Sequence, residues 1–527
     1  MGLARTIESV ESQPHYPRHI SSGRELFDQG AITSDVFHHK YPGSGIESDP
    51  YVVSWLPNDP RDPVHYTASK KIIITIIVSI TTLCIALAGT VYPGSAGDIM
   101  EEFQVSTEVT TLGLSLFTFG FACGPFFWAP LSEFIGRQYP FITSMSSMVA
   151  ALAGCAGARN IETLLVLRFL AGTAGSSMLT NAGGIISDIF ETKHRGIALN
   201  LFAIGPLIAP NIGSFIGGFL TMRAGWRWVA GFLAILCGFW CLLMAFTVPE
   251  TYGPVLLRRR AMRLSQITGE VYQSKLDVEG DGVLPLKRML AIALVRPWIL
   301  LFREPIVFVL SIYMAIIFGS EFLMIAALPI VYQQGRGWNP GVGGLAFLGM
   351  TVGMIFAVFY TIMDDARYRR LVQKYEGHVP PEARLPLVMV SAICLPVGFF
   401  WFAWTNSPSI HWMASIAALV PLGGGIALLY FGVVTYLFDA YTIYGASALA
   451  ANSILRSVLS AVFPLFTSSM YDALGIHWAS SIPAFFALAC VPFPFILYRY
   501  GHIIRKRCPY SAKSELYMQK LRETARE

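Results

Sequence analysis

The sequence predicts an all-α membrane protein of twelve transmembrane helices arranged as two parallel six-helix repeats. Three observations predict it: the composition, the spacing of apolar runs, and short patterns that recur on either side of a charged central segment. Hydrophobic residues make up 54% and charged residues 13% of the 527, whereas soluble domains run near a quarter charged. A mean hydropathy of +0.54 over so long a chain needs lipid to cover its apolar surface. The net charge of +5 is spread over separate loops rather than gathered on one face, so no nucleic-acid partner is expected.

A bilayer core of about 30 Å takes roughly 20 helical residues. Twelve apolar runs approach that length: 72–92, 108–130, 139–158, 161–187, 196–220, 227–248, 305–331, 341–363, 385–404, 411–438, 443–467 and 478–499. Lysine and arginine orient them. One set of loops holds only Arg159, Arg223, Arg227 and Arg336. The other set holds Lys70, Lys71, Lys193, Arg195, Arg258 to Arg260, Arg367 to Arg370 and Arg505 to Arg507. By the positive-inside rule both termini and the segment 249–304 are cytoplasmic. The polar start lacks the basic-then-apolar signature of a cleaved leader, so the first run is expected to do the targeting.

The chain then divides into an N-terminal segment 1–70, a six-helix bundle 71–248, a surface linker 249–304, a second bundle 305–499 and a tail 500–527. Within the linker, Val255 to Ile267 reads as amphipathic. Gly225-Trp226-Arg227-Trp228 precedes the sixth run, and Gly475-Ile476-His477-Trp478 precedes the twelfth. Glu133-x-x-x-Arg137 follows the second run, and Asp365-x-x-x-Arg369 follows the eighth. Two parallel six-helix repeats around a midplane site form an arrangement in which halves rock about a bound solute.

Carboxylates at the inner ends of even-numbered runs need explanation, because a helix C-terminus is partially negative. Glu133, Asp188, Asp364, Asp365 and Asp439 stand there. Arg137 and Arg195 are the nearest cations in the first half, and Arg367, Arg369 and Arg370 in the second. The pattern predicts ion-pair clusters that latch a cytoplasmic gate, weighed against a static solvated charge cluster. Three ionisable residues stand deep in apolar runs: Arg168, Glu321 and Arg456. Such groups are costly in lipid and face a cavity or a partner. Glu321, near the middle of its run, is the leading candidate for proton exchange; a fixed pair with Arg456 is the competing reading. In the fifth run Gly205, Pro206, Ala209, Pro210 and Gly213, followed by Gly217 and Gly218, allow a bend and close helix approach.

Seven cysteines (Cys84, Cys123, Cys155, Cys237, Cys241, Cys394, Cys490) lie in apolar runs and read as small hydrophobes. Cys508, in the basic tail, reads as inert or as a palmitoylation acceptor. No Cys/His spacing suggests a metal site, and no nucleophile–base constellation suggests an enzyme.

These motifs resemble the major facilitator superfamily, and within it the fungal twelve-spanner drug:proton antiporters, over nearly all of positions 50–510. Trp128-Ala-Pro-Leu-Ser-Glu133-x-x-Gly136-Arg137 resembles the signature of the loop after the second helix. Arg168-x-x-x-Gly172 resembles the helix-four motif tied to proton coupling, and the fifth-run glycine–proline stretch resembles the antiporter motif. Tyr444 through Asn452 and Arg456, with Phe463-Pro464, resembles the helix-eleven signature. Gln138, Ala171, Ala209 and Ser214 depart from the family pattern, and Ala326 stands where many relatives have a helix-seven glutamate.

The resemblance implies the major facilitator fold, a monomer, and a plasma-membrane exporter of drug-like compounds or secondary metabolites. It implies proton antiport with no cofactor beyond the proton gradient. Arg168 and Glu321 would line the central cavity, with Asn452 and Arg456 nearby. Organic acids or polyamines are the alternative cargo, and a transporter-like receptor or sensor is the alternative of another class.

Overall fold

In lipid every backbone N–H and C=O must be satisfied within the segment, so long apolar runs have little choice but to be helical. The computed structural model describes residues 28, 30–57, 59–279, 285–375 and 379–524, the side chains of 192–197, 200, 286 and 518–524 apart. It is almost wholly helical. Before the linker the elements are α1 (Ser34–His38), β1 (Tyr51–Val53), α2 (Ala68–Thr90), α3 (Ala96–Phe103), α4 (Thr107–Cys123) and α5 (Pro125–Ile135). They continue as α6 (Gln138–Ala156), α7 (Ile161–Ile189), α8 (Thr192–Ala224) and α9 (Trp226–Thr247). The linker carries α10 (Gly253–Thr268), β2 (Tyr272–Ser274), α11 (Lys275–Glu279) and α12 (Leu286–Arg303). After it come α13 (Pro305–Pro329), α14 (Pro340–Leu345), α15 (Leu348–Lys374), α16 (Leu385–Thr405) and α17 (Trp412–Tyr441). The last are α18 (Gly445–Val462), α19 (Thr467–Cys490), α20 (Pro492–Arg507) and α21 (Pro509–Thr524).

Start signals are ordinary caps. Thr67 accepts from the Lys70 N–H, Ser106 from Val109 and Asn160 from Thr163, opening α2, α4 and α7. Gly225 (φ +80°) and Gly475 (φ +71°) mark matching breaks, the first opening α9 and the second interrupting α19. Among the described residues ten stretches are long and apolar enough to span a membrane, and the last of them, Trp412–Arg507, is 96 residues long and contains α17 to α20.

The helices sort into two groups. Before the linker, α2 packs on α8 and α9, α4 on α7, and α6 on α7 and α9. After it, α17 packs on α15 and α16, α13 on α18, and α16 on α19. Between the groups α4 meets α18, and α8 meets α14 and α15; the linker helix α12 meets α5 and α18.

The linker also engages the segment that precedes the first bundle. Its strand β2 pairs in parallel with β1, with Tyr51 opposite Tyr272 and Val53 opposite Ser274. Val36, Val53, Leu257 and Leu264 close a small apolar cluster of their own. Arg260 and Asp59 form a bidentate pair with side chains only 3% and 2% exposed. Burial pushes the Tyr41 phenol up to about 12, so it stays a neutral donor to the Val36 carbonyl. The physical reason is the apolar face of α10, which needs cover and finds it in residues 32–57 rather than in the bilayer.

Candidate functional site

The glycines of α8 decide how the groups meet at the end away from the linker. This helix runs unbroken through Pro206 and Pro210. A methyl on Gly213 would strike the Thr90 hydroxyl, and one on Gly217 the Val91 carbonyl. One on Gly218 would strike the carbonyl of Pro340, at the start of α14. From the other side Gly344 lies against the backbone of Phe215. Small residues here let α8 approach both α2 and α14 backbone to backbone, the second contact joining the two groups. Gly205 is looser, its nearest neighbour being the Ser79 carbonyl at 3.4 Å from a built Cβ.

Deeper in the first group, Arg168 is 3% exposed. Its Nε donates to the Gly113 carbonyl at 3.1 Å, Nη1 to Ala88 at 2.7 Å and Nη2 to Gly89 at 3.1 Å. Tyr92 and Phe117 flank the guanidinium at 4.5 and 4.6 Å. The narrow void beside it is lined by Tyr92, Cys155, Leu164 and Trp226, all from before the linker. Arg168 therefore clamps the end of α2 to α4 and α7, and the structure does not bring it to Glu321.

Glu321 lies on α13, 2% exposed, and its Oε1 is buried without a hydrogen-bond partner. No ion pair joins it to Arg456 among the described residues. Arg456 on α18 instead lies 4.7 Å over the Phe318 ring and 5.4 Å from that of Tyr430. Asn452, one turn earlier, donates to Ser311 of α13 at 3.4 Å. Three of the four predicted cavity residues thus share the α13–α18 contact, and the fourth is elsewhere.

At the linker end the polar signature after α4 forms a connected chain. Arg137 donates to Ser132 at 2.9 Å, Ser132 to Asn181 at 3.2 Å, and Asn181 to the Trp128 carbonyl at 3.2 Å. Its Nε also meets Asp188 at 3.3 Å, and its guanidinium stacks on Tyr252 at 4.6 Å. Gly136 adopts φ +102°, and a Cβ there would run into the Glu250 carboxylate. Glu133 is exposed and joins no ion pair among the described residues. Arg195 lies outside the described side chains.

After the linker one carboxylate takes a partner outside the expected set. Asp439 pairs with Arg384 at 3.1 Å, not with Arg367, Arg369 or Arg370. Arg367 turns back to Asp364 at 2.7 Å, and Asp365 with Arg369 is a loose 3.8 Å pair whose arginine is 61% exposed. The reason is direction: α15 carries Arg367 to Arg370 past the inner turn, whereas Arg384 stands just before α16, as Arg137 stands just before α6. Each pair joins residues of one group; no ion pair between the groups occurs among the described residues.

Sequence reasoning missed the anchors behind these pairs. Glu250, fully buried, accepts from the backbone N–H of Arg137 (2.8 Å), Gln138 (3.1 Å), Thr251 (3.0 Å) and Tyr252 (2.8 Å). Glu382 and Arg505 form a buried bidentate pair at 2.8 and 3.1 Å. Glu304, also fully buried, accepts from Tyr441 and from the Tyr510 N–H, both at 2.9 Å. The available signal was a single carboxylate abutting an apolar run, present at both Glu250 and Glu304. Cys508 is buried, and burial pushes its thiol up to about 12, which agrees with the inert reading.

Comparison with known proteins gives a uniform result. Residues 78–464 match the Major Facilitator Superfamily. The chain is 53% identical to the MFS-type efflux pump MFS2 of Trichophyton rubrum, covering 97% of this chain and 86% of that one. It is 54% identical to the major facilitator superfamily multidrug transporter mdrA of Aspergillus fumigatus, covering 98% and 85%. It is 44% identical to the efflux pump FUBT of Fusarium oxysporum, covering 98% and 86%.

Proposed function

The chain belongs to the Major Facilitator Superfamily, and from that premise we propose that it exports small drug-like compounds or secondary metabolites from the cytoplasm by proton antiport. Two of the relatives are named as efflux pumps and one as a multidrug transporter, which supports the outward direction. The observation that carries the coupling is Glu321. A buried carboxyl oxygen without a partner can take and release a proton without breaking another bond, and its neighbour Arg456 offers a cation to acceptor groups of the cargo. With Arg168 engaged by three carbonyls, the cationic wall in this reading is Arg456 beside Phe318 and Tyr430. That wall favours neutral or anionic aromatic cargo over polyamines.

The membrane arrangement belongs to the same proposal. A 96-residue stretch is roughly 140 Å of helix, far beyond one bilayer, and its breaks near Tyr441–Gly445 and at Gly475 favour three spans there and twelve in all. The linker end, with its arginines, is read as cytoplasmic, and the end where α8 meets α14 as the extracellular side of a plasma-membrane protein. In this reading the seam of α8 with α14 is closed, and the linker-end clusters brace each group as it tilts.

The test is retention of a labelled panel in pump-deficient yeast expressing this chain, with and without a protonophore. The panel holds amphipathic cations, polyamines, neutral aromatic metabolites and small dicarboxylates. Depletion of the neutral aromatic class, reversed by protonophore, is the expected result. Accumulation of any class would instead indicate symport and overturn export.

A further inference from the structure

The linker carries two basic amphipathic helices, and they are treated differently. In α10, Arg258 is held by Asp277 at 2.8 and 3.1 Å, a bond that raises its pKa further, and Arg259 donates to the Ile135 carbonyl at 2.9 Å. Arg260 is the buried partner of Asp59. The apolar face of α10, from Val255 to Leu264, is covered. Among the described residues, α12 is covered on one face only.

Residues 285–303 contain Lys287, Arg288, Arg296 and Arg303 and no acidic residue. Lys287, Arg288 and Arg303 are exposed and join no ion pair among the described residues. Arg296 alone is engaged, over the Tyr444 ring at 5.6 Å. One face of the helix, Pro297, Leu300 and Leu301, is buried. The other presents Ala291, Leu294, Val295, Trp298 and Phe302, spaced three and four apart, to the outside. Phe302 is 71% and Val295 53% exposed, and Trp298 stacks on Phe302. Only Glu304 separates α12 from the first turn of the membrane helix α13. The stripe is therefore continuous with lipid-facing surface.

Resting on the orientation proposed above, we propose that α12 lies in the cytoplasmic leaflet and binds anionic phospholipid. Its apolar stripe enters the acyl boundary; Lys287 and Arg288 at one end of the helix and Arg303 at the other, about 24 Å away, attract separate headgroup phosphates. Because α12 packs on both α5 and α18, a lipid held there sits where the two groups of helices meet.

Binding is read independently of export. The purified full chain, stripped of lipid in detergent, is titrated with dioleoyl phosphatidylserine or dioleoyl phosphatidylcholine and examined by native mass spectrometry. The wild type should retain phosphatidylserine preferentially, and each neutralised residue of K287Q/R288Q/R303Q should weaken that retention about fivefold. The charge-keeping variant K287R/R303K should retain it fully, which guards against misfolding. The control K506Q/R507Q, on another basic stretch, should change it little. A benzophenone side chain at position 295 should crosslink lipid in nanodiscs. Undiminished phosphatidylserine retention by the triple variant, an equal loss in the control, or crosslinking to protein instead of lipid would overturn the proposal. Loss of export in yeast with lipid retention intact would count against the transport reading alone.

Discussion

Two clusters at the linker end place an arginine before a helix against an aspartate at the end of the next one, yet they are anchored by opposite means. Arg137 meets Asp188 with Tyr252 as its aromatic neighbour, and Arg384 meets Asp439 with Tyr368 only 3.4 Å from its guanidinium. Before the linker the anchor behind the pair is Glu250, which holds four backbone N–H groups. After the linker the anchor is Glu382, which holds the Arg505 side chain. One anchor fixes main chain and accepts no substitute; the other is a side-chain pair, its arginine lying also 3.7 Å from Glu515. The comparison teaches that a shared outward geometry can rest on different physics.

The largest effect is expected at Glu250. Glu250→Ala leaves three buried donors and one half-buried donor unpaired, at about 1–3 kcal/mol for each buried one, so mature protein at the cell surface should nearly vanish. Wild-type abundance of that variant, measured by surface immunoblot, would break the anchor argument. Arg137→Gln comes next: loss of its charge-assisted bonds should lower transport about tenfold while leaving surface abundance intact. If abundance falls in step with transport, Arg137 is only structural. A smaller and more diagnostic change is the swap Glu382→Arg with Arg505→Glu. Either single variant should lose transport, because it sets two like charges against each other in a buried site. The double should recover part of it, since the new glutamate faces Glu515, whereas no swap at Glu250 can. The smallest effect belongs to Arg369→Gln, under about twofold, because its pair is loose and solvated.

Apolar runs were legible because lipid forces them to be helical, and 161–187 or 385–404 differ from α7 and α16 by at most a residue or two. The glycines of the fifth run were legible too, since small residues in a membrane helix have few uses. Partner identity was not. Asp439 and Arg384 are brought together only by the packing of α16 on α17, and neighbours in sequence on α15 were the natural wrong choice. The pairing of β1 with β2 was equally hidden, because three-residue strands more than 200 positions apart carry no periodic signal. Arg168 shows a third limit: a deep charge announces that it has partners, not whether they are solutes or carbonyl groups.

The central claim is that the unpartnered carboxyl of Glu321 couples cargo to protons. It is tested most directly in proteoliposomes holding the full chain, with the labelled cargo class that the yeast panel identifies. An imposed pH gradient should drive wild-type protein to concentrate cargo against its gradient. Glu321→Gln should still exchange cargo at equal concentrations yet build no gradient. Uphill accumulation by Glu321→Gln equal to the wild type would contradict the account.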